Sequence, residues 1–280
     1  MDPIATAVPV YHRTAQIEGV NLFYREAGDP AAPPLVFLHG LASQGRSWDT
    51  VAEALLSRYR TLALDQRGHG ETDWADDYAA EAMVEDVAAF VDALHLDKIG
   101  LVGFSMGGRN AYMYAARDLA RIEKLVIMDI GPELMPVGAD RVRAAVQAPD
   151  VFEDPEHAFW LTRLGNARPP DDVLRARVYH NLVQREDGLW TWRYDKAFRS
   201  PDRPLPRPDP VQGWAMLRAI TAPTLVIRAA ESDVLAKDTA ERMARELPDG
   251  RLVEIPFSGH NIALDNPDAL IAALREFLCG

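Results

Sequence analysis

Apolar residues in this chain fall into short runs of four or five, each closed by a glycine or a polar turn and followed by a stretch with helical spacing. Leu35-Val36-Phe37-Leu38-His39 is one such run, entered through Pro33-Pro34 and ended by Gly40. Residues 48–59 then space their apolar side chains as a helix does. Thr61-Leu62-Ala63-Leu64 reads as the next strand, and residues 79–94 as a helix with Val84, Val87, Ala88 and Val91 on one face and acids opposite. Ile99-Gly100-Leu101-Val102 is a strand, residues 108–116 a helix and residues 124–130 a strand. The alternation resumes at Thr224-Leu225-Val226-Ile227, with a helix over 237–247, a strand at Leu252-Val253-Glu254-Ile255, and a last helix opened by Asn266 or Pro267 and running to Leu278. Strands alternating with helices predict an α/β fold: a mostly parallel central sheet with helices on both faces. Ligands of such sheets bind beyond the carboxyl ends of the strands.

Between Gly131 and Pro223 the alternation breaks. Helix-like pieces over 141–147, 155–164 and 171–184 are separated by proline-rich joints, and Pro201 to Pro210 holds five prolines in ten residues, a stiff non-helical connector. Four of the six tryptophans lie here: Trp160, Trp190, Trp192 and Trp214. Most of them are expected to pack the insertion onto the sheet domain. Trp190 and Trp192 alternate as in a small extended segment. The expected organisation is a core domain over 1–132 and 214–280 with a helical cap over 133–213 covering the strand ends.

Composition narrows the class of protein. With 280 residues and 48% hydrophobic residues, the chain can bury a substantial core. A formal charge of −12 argues against a nucleic-acid backbone or an anionic membrane as partner. The apolar runs are too short to span a bilayer. Met1 to Thr6 lacks the basic and apolar regions of a signal peptide, and the one cysteine, Cys279, forms no internal disulfide, so a cytoplasmic protein is expected. Composition says nothing about oligomeric state.

The chemistry centres on Gly103-Phe104-Ser105-Met106-Gly107, a Gly-x-Ser-x-Gly pattern set between a strand and a helix. A serine on that turn is exposed in a strained backbone conformation, and the flanking glycines allow the close strand–helix approach. A serine hydroxyl attacks only when a neighbouring base takes its proton. With His39-Gly40-Leu41, Asp65-Gln66-Arg67-Gly68-His69-Gly70 and Ser258-Gly259-His260 in this order, the chain resembles the α/β-hydrolase fold family over nearly its whole length. The resemblance implies a triad in the chain order Ser105, Asp233, His260. It also implies an oxyanion hole from the backbone N–H groups of Leu41 and Met106. For the acid, Asp129 at the end of the preceding core strand is the alternative; Asp233 is favoured because it follows the strand after which most relatives carry the acid. Asp265 and Asp268 suit the start of the last helix.

Further residues carry weaker signals. Phe104, Arg109 and Trp214 are candidate substrate-binding residues, Arg109 for an anionic group. His39 and His69 show no metal-ligand spacing and suit bracing of their loops. No metal and no cofactor are expected. A serine nucleophile excludes the carboxylate-nucleophile epoxide hydrolases and dehalogenases of this fold. The expected activity is therefore hydrolysis of a carboxylic ester or related acyl bond through an acyl-enzyme, the apolar and aromatic residues of the cap suggesting an apolar group on the small-molecule substrate. Alternatives of the same fold are a carbon–carbon bond hydrolase, a cofactor-free haloperoxidase or perhydrolase, a lyase like the menaquinone-pathway synthase, and a small-molecule receptor with slow hydrolysis.

Overall fold

In a computed structural model, which describes residues 9–200 and 209–280, an eight-stranded sheet runs through the molecule. Its strands in chain order begin with β1 (Tyr11–Ile17), β2 (Val20–Ala27), β3 (Pro34–Leu38), β4 (Arg60–Leu64), β5 (Ile99–Phe104) and β6 (Ile122–Met128). Strands β7 (Val151–Phe152), β8 (Leu182–Gln184) and β9 (Trp190–Trp192) form a separate small sheet, and β10 (Thr224–Ala229) and β11 (Gly250–Ile255) complete the large one. The spatial order is β1-β2-β4-β3-β5-β6-β10-β11, antiparallel at β1, β2 and β4 and parallel from there on. The hairpin β1–β2 is absent from the sequence expectation. Its outer strand is mostly exposed and polar, as suits a sheet edge.

The helices are α1 (Asp49–Glu53), α2 (Ala80–Ala93), α3 (Met106–Arg117), α4 (Pro136–Gln147), α5 (Pro155–Gly165), α6 (Asp171–His180), α7 (Pro210–Ala219), α8 (Lys237–Glu246), α9 (Ile262–Asp265) and α10 (Pro267–Cys279). Successive strand residues point to opposite faces of a sheet, so each buried strand feeds two cores. Val36, Leu38, Leu62, Leu101, Leu125 and Ile127 pack with α2, α3, α7 and α8. Leu35, Phe37, Val102, Val126, Met128 and Ile227 pack with α1 and α10 on the other face. This is the expected parallel sheet with helices on both sides.

Several boundaries differ from the sequence reading. The helix expected over 48–59 is only a short 3-10 turn followed by α1. The piece expected over 171–184 ends at His180, and Leu182–Gln184 enters the small sheet instead. The insertion is thus not purely helical: α5 and α6 pack beside the antiparallel sheet β7–β9–β8, with Phe152, Phe159, Leu174 and Val178 in a small core that Leu264 of α9 also borders. Helix α7, whose start lies before the expected boundary at 214, packs with the main core through Trp214 and Leu217. Residues 201–208 of the expected proline-rich connector, and Met1 to Thr6, lie outside the described residues.

Buried polar groups shape the loops at the strand ends. His39 is fully buried after β3; its Nδ1 lies 2.8 Å from the Gly40 carbonyl and its Nε2 3.0 Å from the Gln66 N–H. Nδ1 therefore carries the proton and Nε2 accepts, a neutral tautomer that burial enforces by pushing the imidazole well below its ordinary pKa. His69 follows the same logic: Nδ1 donates to the Arg67 carbonyl at 3.0 Å and Nε2 accepts from the Ala42 N–H at 3.2 Å. Asp65 accepts from the Gly45 and Glu71 N–H groups, and a Cβ at Gly70 would lie 1.9 Å from its carboxylate, so only glycine fits there. Both histidines brace loops, and among the described residues no cluster of three or more His, Cys, Asp or Glu is arranged to hold a metal ion.

Burial pushes His69 down to about 4 and Asp65 up to about 6. Between pH 4 and 6.5 the unfolded chain protonates His69 and the folded chain does not. Its contribution to stability is full above pH 6.5 and is lost as pH falls towards 4, about 3 kcal/mol in all. Asp65 acts in the opposite sense, holding a proton in the folded state up to about pH 6 that the unfolded chain has already released. The two offset each other in the parent protein. His69→Gln removes one of them, so the stability advantage of the parent over the variant, measured by urea unfolding, is expected to grow by about 3 kcal/mol from pH 4 to pH 7. A difference that stays flat across that range would refute a neutral, buried His69.

Candidate active site

Strand β5 delivers Ser105 and helix α3 begins at the next residue, which forces a turn so tight that Ser105 adopts φ +52°. Residues with a Cβ rarely occupy that region, and such strain concentrates at functional sites. The turn is possible because a Cβ at Gly103 would lie 2.3 Å from the Gly107 carbonyl oxygen, and one at Gly107 would lie 2.3 Å from that of Leu38. Both positions require glycine. The Ser105 N–H donates to the Met128 carbonyl at 2.9 Å, fastening the turn to β6.

His260 lies in the loop after β11, with Phe104 packed against its ring at 4.9 Å between centroids. Its Nε2 is 3.0 Å from Ser105 Oγ and its Nδ1 is 2.8 Å from Asp129 Oδ2. Asp129 follows β6 directly, is fully buried and has φ +50°. Its Oδ1 accepts from the Ala229 N–H at 2.9 Å and its Oδ2 from the Ser232 hydroxyl at 2.7 Å as well as from His260. Ser232 is oriented in turn by the Val234 and Leu235 N–H groups.

This corrects the sequence expectation for the acid. Asp233, one residue past Ser232, points into an ion pair with Arg141 of α4, at 2.5 and 2.8 Å. The Arg141 hydrogen bond holds its carboxyl below the usual carboxylate range. The reason lies in strand order: β6 sits between β5 and β10, so a carboxylate at its end reaches the imidazole from directly beside Ser105. The loop after β10 serves the site through the Ser232 hydroxyl. Glu231 pairs with Arg168 on the surface. Asp265, instead of serving the last helix, accepts from the Gly259 N–H at 2.9 Å and so holds the His260 loop.

Beside Ser105 and His260 lies a cavity of about 60 Å³ lined mainly by apolar side chains, among them Leu41, Met106, Ile130, Leu134 and, from α4, Ala139 and Val142. Arg109 also lines it; the side chain is buried and its Nε and Nη2 reach Asn110 Oδ1 at 3.1 and 2.9 Å. Trp214 is not brought to the cavity. Its indole lies in the main core, donates to Glu133 Oε1 at 2.7 Å and carries the Arg242 guanidinium over its ring, because α7 packs against α3 and α8. Phe104 lies against His260 and Gly40, outside the lining of the cavity. The α4 residues were not singled out from the sequence; the one-turn spacing of Ala139 and Val142 is the signal that marks them.

Residues 33–267 match the family described as the alpha/beta hydrolase fold. The chain is 33% identical over 276 residues, 93% of each protein, to a 3-hydroxybutyrate-oligomer hydrolase from Cupriavidus necator. It is 32% identical to an esterase from Mycobacterium tuberculosis, over 89% of this chain and 83% of that protein. Among solved structures, an E-2-(acetamidomethylene)succinate hydrolase superposes with a TM-score of 0.86 at 25% identity, covering 97% of this chain and 100% of the other. The relatives are hydrolases, and the chain belongs to the alpha/beta-hydrolase family.

Proposed function

We propose that the protein is a serine hydrolase cleaving a carboxylic ester with a short acyl group through a Ser105–His260–Asp129 triad. The observation that carries this reading is the continuous hydrogen-bond chain from Ser105 Oγ through His260 to the buried Asp129 carboxylate at the mouth of an apolar cavity. His260 Nε2 accepts the Ser105 proton as the oxygen attacks the acyl carbon, then returns it to the leaving alcohol. Asp129 holds Nδ1–H and stabilises the cation that forms. Water, deprotonated by the same imidazole, then releases the acid from the acyl-enzyme.

The tetrahedral oxyanion is assigned to the N–H groups of Met106 and Leu41. Met106 opens α3, so its N–H is among those a helix start leaves without an intrahelical acceptor, and it lies at the positive end of the helix dipole. The Gly40 carbonyl is held by His39, which turns the N–H of the same peptide unit, that of Leu41, the opposite way. One such donor contributes about 3 kcal/mol to transition-state binding.

The insertion acts as a cap through α4, and the cavity it closes favours short acyl chains; pockets for drug-sized ligands hold roughly 300–1,000 Å³. Arg109, a buried cation on an apolar wall, suits a carboxylate elsewhere on the substrate. Two of the similar hydrolases act on compounds whose names denote carboxylates, a hydroxybutyrate oligomer and a succinate.

Hydrolysis of p-nitrophenyl esters tests the reading. Turnover is expected to be highest for two- to four-carbon acyl groups and to be lost in Ser105→Ala and His260→Ala. Asp129→Asn is expected to lower kcat by about 10⁴, because the amide favours the wrong imidazole tautomer, whereas Asp233→Asn stays within about tenfold of the parent. The reverse ranking of the two aspartates would restore Asp233 as the acid. For Arg109→Ala, kcat/KM for a hemisuccinate ester relative to a neutral ester of equal length is expected to fall about tenfold to a hundredfold. An unchanged ratio would remove the anionic substrate class.

A further inference from the structure

The loop that presents Leu41 is held by the insertion as much as by the sheet. Ala42 adopts φ +58°, which a residue with a Cβ keeps only when its surroundings impose it. Its N–H donates to His69 of the core and its carbonyl accepts from Asn181 Nδ2 at 2.9 Å. Asn181 follows α6 immediately, and its Oδ1 accepts from Gln44 Nε2 at 2.9 Å, which also donates to the His180 carbonyl at 2.6 Å. Arg177, one turn earlier on α6, donates to Ser43 Oγ at 2.7 Å. Three successive loop residues, 42 to 44, are thus tied to one end of one helix of the insertion.

Asn181 is fixed from its other side too: its carbonyl accepts from the Arg193 N–H at 2.7 Å, and the Arg193 carbonyl accepts from Gly70 N–H at 2.9 Å, beside His69. The circuit closes on the histidine that holds the Ala42 N–H. From this juxtaposition we infer that Asn181 is a positioning residue for the oxyanion hole, setting the direction of the Leu41 N–H through the Ala42 carbonyl. The inference rests on the serine-hydrolase reading and deepens it. The insertion then completes the catalytic geometry only when docked. A donor of this kind acts on the transition state, so its loss lowers kcat and spares KM.

The test is kcat and KM on a short p-nitrophenyl ester, with the rate of Ser105 labelling by a fluorophosphonate, for the parent, Asn181→Ala, Asn181→Asp and Arg175→Ala. Asn181→Asp keeps the shape and the acceptor for Gln44 but has no N–H for Ala42, and it covers the case in which the alanine variant fails to fold. Arg175→Ala breaks the pair with Glu156 elsewhere on α6. The inference expects both Asn181 variants to lose about tenfold or more in kcat and in labelling rate with KM within about threefold, and Arg175→Ala to stay within about twofold. Unchanged kcat in a labelled protein, a loss confined to KM, or an equal loss in Arg175→Ala overturns it. A parent whose Ser105 takes no label refutes instead the serine-hydrolase reading beneath it.

Discussion

The contact between the buried Asp129 carboxylate and His260 Nδ1, at 2.8 Å, constrains much of this molecule. A carboxylate in a fully buried position is tolerable only if its oxygens are satisfied. Three donors meet it, one from each of three places: the backbone of β10, the hydroxyl of Ser232 and the imidazole. These donors converge only if β6 lies between β5 and β10 in a parallel sheet, with all three strands ending on one rim. The positive φ of both Ser105 and Asp129 belongs to the same constraint, since each strand must turn abruptly to bring its last side chain onto that rim.

The repeating apolar runs made the parallel half of the sheet legible, because strands buried on both faces read as continuous hydrophobic segments. The β1–β2 hairpin was not, since its outer strand is exposed and its polar pattern resembles a loop. Likewise, residues 171–184 show one continuous pattern although the chain changes from helix to strand at Asn181. That choice is tertiary: Leu182 leaves the helix to pair with Trp192. Local propensity carries no trace of a partner ten residues away.

At the site, Ser105 was legible because its sharp turn needs glycines at fixed offsets, Gly103 and Gly107, and His260 because Gly259-His260 follows a late apolar strand. The partner of His260 was not. Asp129 directly follows β6 and Asp233 lies in the loop after β10, and chain order alone does not show which of them reaches the imidazole. What separates them is charge environment: Arg141, ninety-two positions away on α4, claims Asp233, while Ser232 and a backbone N–H orient Asp129. Neither relation is local. The wall of the cavity was equally hidden, since Ala139 and Val142 are ordinary helix residues until α4 is laid over the strand ends.

The Arg141–Asp233 pair has a second consequence. Together with the Arg168–Glu231 pair and the Asn166–Asp265 hydrogen bond, it ties the insertion to the two loops that carry Ser232 and His260. Contacts of this kind between half-exposed groups add little stability individually and weaken with salt. Apolar contacts do the larger part: Leu134 and Val142 pack against the main core, and Val146, Tyr194 and Phe198 of the insertion share a buried cluster with Tyr78, Met83 and Met106. The small core around Phe152 and Phe159 likewise takes in Leu264, beside the His260 loop. An insertion anchored by buried apolar side chains moves as a whole only at a large cost. On the proposed mechanism, entry of an ester and release of an acid therefore fall to local motion at the edges of the cavity, not to a swing of the whole insertion.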